Sequence, residues 1–226
     1  MGVMTIADAW PPAALESAPG FLGRMPDDGY RYELLGGVLV VTAGPGRLPF
    51  TVGDLDRMPD DGRRYELLDG VLMVSPAPPV AHQWVVGRLL ILLDHVCPPR
   101  LCALPGPGVE MSLDTSLIPD LVVLRENQLI GSRVVTEPPL LAVEVQSPST
   151  RTYDRTAKKA AYARFGIGSY WLVVPDPAKP ALTAFELRGG RYEEIAHVAG
   201  DDAFRVEHPY PVELVPAQLA AKLRTP

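Results

Sequence analysis

Ile118-Pro119-Asp120-Leu121-Val122-Val123-Leu124 and, further along, Leu141-Ala142-Val143-Glu144-Val145-Gln146-Ser147 are the stretches on which the reading of this chain turns. Each is a short apolar run closed by turn-forming residues, the pattern of a buried strand. Successive strand side chains point to opposite faces. Leu141, Val143 and Val145 therefore share one face, and Ala142, Glu144 and Gln146 share the other. A carboxylate in the middle of such a run is costly unless it is paired, hydrogen-bonded or bound to a cation. Asp120, at the head of the neighbouring run, is a second acid. Two acids on adjacent strands, with a polar residue two positions after the second, suit a divalent metal held against a phosphate.

The rest of the composition bounds this idea. A chain of 226 residues with 47% hydrophobic and 21% charged residues can bury a full core and reads as a soluble globular protein. Its 25 prolines and 20 glycines predict many turns and short elements rather than long helices. The formal charge is -6. Proteins that coat nucleic acid are more often basic, so any contact with DNA must come from a local basic patch or a metal. Cys97 and Cys102 have no second Cys or His pair at zinc-binding spacing, and they read as two semi-buried thiols in a reducing compartment. There is no charged-then-apolar leader and no run of about eighteen apolar residues, so the cytoplasm is the expected location.

One feature is unusual. Met25-Pro26-Asp27-Asp28-Gly29-Tyr30-Arg31-Tyr32-Glu33-Leu34-Leu35-Gly36-Gly37-Val38-Leu39-Val40-Val41 recurs as Met58-Pro59-Asp60-Asp61-Gly62-Arg63-Arg64-Tyr65-Glu66-Leu67-Leu68-Asp69-Gly70-Val71-Leu72-Met73-Val74. Only the pairs Tyr30/Arg63, Gly36/Asp69 and Val40/Met73 differ. This is a tandem duplication of one hairpin unit rather than a solenoid, which needs more repeats. Each copy reads as a turn, a strand, a tight turn and a return strand, with Asp69-Gly70 suited to a type I′ turn. The second copy runs into the remainder of the chain. The expected organisation is therefore an N-terminal extension, residues 1–48, carrying the first copy, and a main domain, residues 49–226. The first copy reads as an added hairpin, a swap element for a partner chain, or a poorly ordered segment. Its strand edge offers pairing with another subunit, so a homodimer through that hairpin is expected.

Elsewhere the first twenty residues read as a loose leader with a short helix. Helical spacing of apolar residues over Val80–Val96 predicts a helix that Pro98-Pro99 ends. Val109-Glu110-Met111-Ser112-Leu113 alternates as a strand, and Arg125–Pro139 is turn-rich with room for one helical turn. Ser147-Pro148-Ser149-Thr150 forms a turn leading into an Ala-rich helix over Thr152–Phe165, closed by Gly166. A buried strand follows at Ser169–Asp176. Ala181–Leu187 and Tyr192–Val198 form a meander across Gly189-Gly190, and Pro211–Leu223 ends in a short helix. The expected class is α/β (α+β): a central mixed sheet flanked by helices, with a C-terminal β-meander.

The order strand, acid, strand with Glu-x-Gln, then basic helix resembles the PD-(D/E)xK nuclease superfamily, and specifically the Uma2 (DUF820) family of restriction-endonuclease-like proteins. The residues that carry the resemblance are Arg64-Tyr65-Glu66-Leu67-Leu68-Asp69-Gly70, His82-Gln83, Pro119-Asp120-Leu121-Val122-Val123, Val143-Glu144-Val145-Gln146-Ser147-Pro148-Ser149-Thr150, Asp154-Arg155 with Lys158, and Tyr170-Trp171-Leu172-Val173-Val174-Pro175-Asp176. They span nearly everything from about residue 50 onward. The resemblance implies that Asp120 and Glu144 bind Mg²⁺ or Mn²⁺, with Glu66 as a third acid. It also implies a lysine two residues after the Glu. Here that position is Gln146, and the resemblance points to Lys158 on the following helix as its substitute.

Each residue also has a plainer role. Asp120 could start a strand, Gln146 could be a buried amide satisfied by backbone, and Lys158 and Lys159 could form a solvated helix face. His82 could bond a nearby carbonyl, and Glu66 could pair with Arg64 or Arg88. The expected function is a metal-dependent endonuclease acting on DNA, with Asp120, Glu144, Gln146, Lys158 and Glu66 at the site and His82 and Lys159 as accessory or phosphate-contacting groups. The alternative is an inactive nuclease fold that binds nucleic acid or a partner protein.

Overall fold

The computed structural model describes residues 22–130, 133–147 and 151–223. The expected leader helix and the Pro148-Ser149-Thr150 turn lie outside these. In chain order the elements are strands β1 (Tyr30–Leu35) and β2 (Val38–Ala43), a helical turn α1 (Val52–Leu55), and strands β3 (Arg64–Leu68) and β4 (Val71–Ser75). Helix α2 (Val80–His95) precedes β5 (Leu101–Pro105), β6 (Val109–Ser112), β7 (Thr115–Leu117), β8 (Leu121–Arg125) and β9 (Leu141–Val145). Helix α3 runs through Arg151–Tyr153, a π-helical turn Asp154–Lys158 and Lys159–Phe165. The chain ends with β10 (Ser169–Val174), β11 (Ala181–Arg188), β12 (Arg191–Ala199), β13 (Phe204–Val206), β14 (Val212–Leu214) and α4 (Pro216–Leu219).

The chain divides into two compact units, one of residues 1–77 with 112–117, the other of 78–111 with 118–226. The division does not follow the expected 48/49 boundary, because β2 pairs with β4 and so joins the two hairpin copies in one unit. In that first unit the strand order is β1-β2-β4-β3-β7. Asp69 and Gly70 both have positive φ, as a type I′ turn requires. Leu39, Val41, Leu67, Leu72, Val74 and Phe50 form its core.

In the second unit the strand order is β12-β11-β10-β9-β8-β5, with β9 and β10 parallel and the other pairs antiparallel. The mixed sheet and the β10-β11-β12 meander are those expected, with Gly189 and Gly190 at positive φ in the last turn. Strand alternation divides β9 as predicted. Leu141, Val143 and Val145 join Leu121, Val123, Trp171 and Val173 in a core that Val85, Val86, Leu89 and Leu93 of α2 cover. The other face meets α3, where Tyr162 reaches Glu144 and Phe165 packs beside Val122 and Leu124. Among the described residues no helix is long and apolar enough to cross a membrane.

Several elements exceed the expectation. β5 lies between proline-rich turns and ends on Pro105, which an edge strand tolerates. β7, β13 and β14 have three residues each, too short for alternation to show. Gly166 ends α3 at φ +92, and an added Cβ there would meet only Pro138 Cγ at 3.9 Å. The strain of a side chain at Gly166 is thus backbone strain alone. Gly166→Ala is expected to lower unfolding free energy by roughly 1–2 kcal/mol, read from urea denaturation, with the folded circular dichroism spectrum unchanged.

Candidate functional site

The site is built on the β8/β9 ladder. Leu121 pairs with Val143 and Val122 with Ala142, so one further step of the same register sets Asp120 opposite Glu144. Asp120 is buried, and its Oδ2 accepts a hydrogen bond of 2.9 Å from the backbone N–H of Val145, the residue after Glu144. The same oxygen lies 3.0 Å from His82 Nε2. His82 is in the first turn of α2 and is itself buried, and its Nδ1 has no hydrogen-bond partner. Of the roles open to His82, the structure gives it a carboxylate partner rather than a carbonyl.

Glu144 is 3% exposed, with Val143 and Val145 on either side in β9. Its Oε1 accepts a 2.6 Å hydrogen bond from the Tyr162 hydroxyl and lies 3.4 Å from Lys158 Nζ. Lys158 is also 3% exposed, so it is not part of a solvated helix face. Asp154 Oδ1 lies 4.0 Å from the same ammonium. Asp154, Lys158 and Tyr162 recur at every fourth position and so share one face of α3. The π-helical turn between Asp154 and Lys158 lies directly beneath them, a distortion that is frequent at functional sites. The Tyr170 hydroxyl donates to the Asp154 carbonyl at 2.8 Å. Burial, reinforced by the charges of Glu144 and Asp154, pushes the ionisation of Tyr170 well above that of a free phenol.

The remaining residues divide. Gln146 is buried two positions after Glu144, receives Arg155 Nη2 at 3.5 Å on Oε1, and leaves Nε2 without a hydrogen-bond partner. The backbone does not satisfy that amide. Lys159 is turned elsewhere, because neighbouring helical residues do not share a face. Its Nζ sits over the Phe185 ring, 3.3 Å from the centroid, and burial lowers its pKa. Glu66 is buried in β3 of the first unit, opposite Met73. The second unit thus brings together Asp120, Glu144, Lys158, Gln146 and His82. It adds Tyr162 and Asp154, which the sequence reading passed over as site residues although their four-residue spacing with Lys158 was visible.

The donor set can be tested against a metal ion. A closed zinc site asks for four ligands, and among the described residues no group of three or more His, Cys, Asp and Glu side chains is placed to hold a metal. Mg²⁺ differs, since one or two carboxylates with water and substrate phosphate suffice for it. Asp120 and Glu144, opposed across the ladder, are such a pair. Glu144 and Asp154 both approach the ammonium of Lys158, at 3.4 and 4.0 Å, and a hard divalent cation suits a cluster so rich in carboxylate oxygen.

Comparisons with known proteins agree with the fold. The family model described as "Uma2: Putative restriction endonuclease" matches residues 52–221. Among solved structures, a putative nuclease belonging to DUF820 from Anabaena variabilis ATCC 29413 superposes with a TM-score of 0.62 at 17% identity, covering 78% of this chain and 100% of its own. At that identity the likeness speaks for the fold alone. No curated protein matches.

Tyr162→Phe removes the 2.6 Å hydrogen bond from a carboxylate with no solvent to replace it. We expect it to destabilise the fold by about 1–3 kcal/mol in chemical denaturation. Tyr192→Phe, whose hydroxyl serves the Ile167 carbonyl away from Glu144, offers the comparison for loss of an ordinary phenol bond, at about 1 kcal/mol.

Proposed function

This chain belongs to the Uma2 family, and from that premise we propose that it is an endonuclease that hydrolyses phosphodiester bonds in DNA with the help of Mg²⁺ or Mn²⁺. The observation that carries this reading is the buried Glu144 carboxylate, within ion-pair distance of Lys158 and with Asp120 at the facing position just before β8. Asp120 and Glu144 would hold the cation. When bound, such an ion activates water and offsets charge on the phosphate, which is the chemistry that breaks the phosphorus–oxygen bond.

The chain's own groups do the rest. His82 and the Val145 N–H fix the Asp120 carboxylate, and Tyr162 fixes that of Glu144. Lys158 presents an ammonium to the negative charge that develops on phosphate oxygens, the role of a preorganised electrostatic group. Gln146 supplies no charge. Its unpartnered Nε2–H can donate to a phosphate oxygen or to the attacking water, and exposed Arg155 beside it offers a further contact to the DNA backbone. Because the chain carries a formal charge of -6, this local set of donors and the cation must supply the attraction for DNA.

A second reading is favoured by Gln146 standing where the nuclease pattern has a lysine: the fold binds DNA without cutting it. One assay separates the two. The purified chain with Mg²⁺ or Mn²⁺ should convert supercoiled plasmid to nicked circles, and a chelator should stop it. Glu144→Gln and Lys158→Met should each slow nicking by about 100- to 1,000-fold, and His82→Ala, which acts through Asp120, by about 10- to 100-fold. Circular dichroism must show each variant folded, since either change at the Glu144–Lys158 pair strands a buried partner. Equal nicking by the unsubstituted chain and folded Glu144→Gln would refute the enzymatic reading. DNA retention by both without nicking would leave the binding module.

A further inference from the structure

The two hairpin copies lie against each other in a particular way. In β1/β2 the register pairs Tyr32 with Val41 and Glu33 with Val40. In β3/β4 the equivalent residues pair likewise, Tyr65 with Val74 and Glu66 with Met73. The turn hydrogen bonds also repeat: Asp28 accepts from the Tyr30 N–H and the Tyr32 hydroxyl, and Asp61 from the Arg63 N–H and the Tyr65 hydroxyl. The seam between the copies is β2 against β4, antiparallel, with Leu39 opposite Val74, Val40 opposite Met73 and Val41 opposite Leu72.

Val40 and Met73 are the same position of the repeat, and so are Leu39 and Leu72, and Val41 and Val74. The strand is therefore paired with its own duplicate about a local twofold axis between Val40 and Met73. The centre of the core follows the same symmetry, with Leu39 and Val41 from one copy and Leu72 and Val74 from the other, flanked by Met25 and Met58 and by Tyr32 and Tyr65, while Leu67 and Phe50 join it without a symmetric counterpart. A contact in which one surface meets an identical surface across a twofold is the isologous contact of a symmetric dimer. Here both halves are in one chain.

We infer that the outer edge of β4 is a seam for a second copy of this chain, and that the first hairpin fills it in cis. Self-complementarity of this strand is required for the present fold, since a near-identical duplicate already sits there in symmetric register. Without the duplicate, β4 would present unpaired backbone groups, an edge that invites pairing. The strand best matched to it is β4 of another molecule, giving the order β3-β4-β4-β3 across a true twofold. The inference does not rest on the nuclease reading.

The test uses the full chain. Neighbouring residues of a strand direct their N–H groups to opposite sides, so Val40→Pro with Val41→Pro removes one donor toward each neighbour of β2 and unzips the first hairpin. Light scattering should then give twice the mass of the unsubstituted chain at the same concentration. Adding Met73→Cys should yield, on mild oxidation, a disulfide between the thiols at position 73 of two chains, since directly opposed strand residues come within disulfide reach. Met73→Cys with β2 intact should not link two chains through that position, and Val40→Cys with Met73→Cys should link within one chain. If the proline variant loses its folded spectrum, the chain without residues 1–46 decides by the same mass and cross-link readouts. Unchanged mass, doubled mass without the link at position 73, or unfolding of both variants each overturns the inference, because in each a second chain has not taken the hairpin's place.

Discussion

A carboxylate buried in the middle of a strand is the constraint around which the second unit is arranged. Glu144 stands between Val143 and Val145 with β8 and β10 on either side, and its own backbone groups belong to the ladder. Its charge must therefore be met from the face of the sheet. α3 does this with Lys158 and Tyr162, and the helix is anchored by Tyr170 on the Asp154 carbonyl and stopped by Gly166. The opposite face is left to apolar packing against α2. An apolar contact between β9 and α3 would hold the layers together at least as well, because a buried ion pair seldom recovers its desolvation cost. Stability alone does not explain why Glu144 and Lys158 are there; the proposed chemistry at the phosphate would.

What sequence reveals here is parity, and what it conceals is distance. The two-residue period of β9 separated Leu141, Val143 and Val145 from Ala142 and Glu144, and the structure sends the first set to α2 and Glu144 to α3. The same locality exposed the turns at Asp69-Gly70 and Gly189-Gly190 and the helix stop at Gly166, because a positive φ leaves its mark on the residue that adopts it. The contact between His82 and Asp120 spans 38 positions and follows from how α2 crosses the sheet, which no local period encodes. The π-helical turn is likewise silent in composition, although it lies within the helix that carries the lysine. Lys158 and Lys159, adjacent and alike, diverge completely: one is buried against Glu144, the other stacks on Phe185.

The duplicated hairpin makes the same point from within one unit. Glu33 and Glu66 occupy identical places in near-identical sequences, with the same cross-strand registers in their own hairpins. β3 is flanked on its far side by β7, and Glu66 is buried, whereas β1 ends the sheet and Glu33 is exposed. Copying a sequence copies the hairpin, its register and its turn bonds, because those are settled by neighbours in the chain; it does not copy burial, since Leu68 is buried and its duplicate Leu35 is exposed. It does not copy an environment supplied from elsewhere. A functional role for an acid of this motif therefore cannot be inherited with the motif. It depends on what surrounds the strand, and only one of the two strands is surrounded.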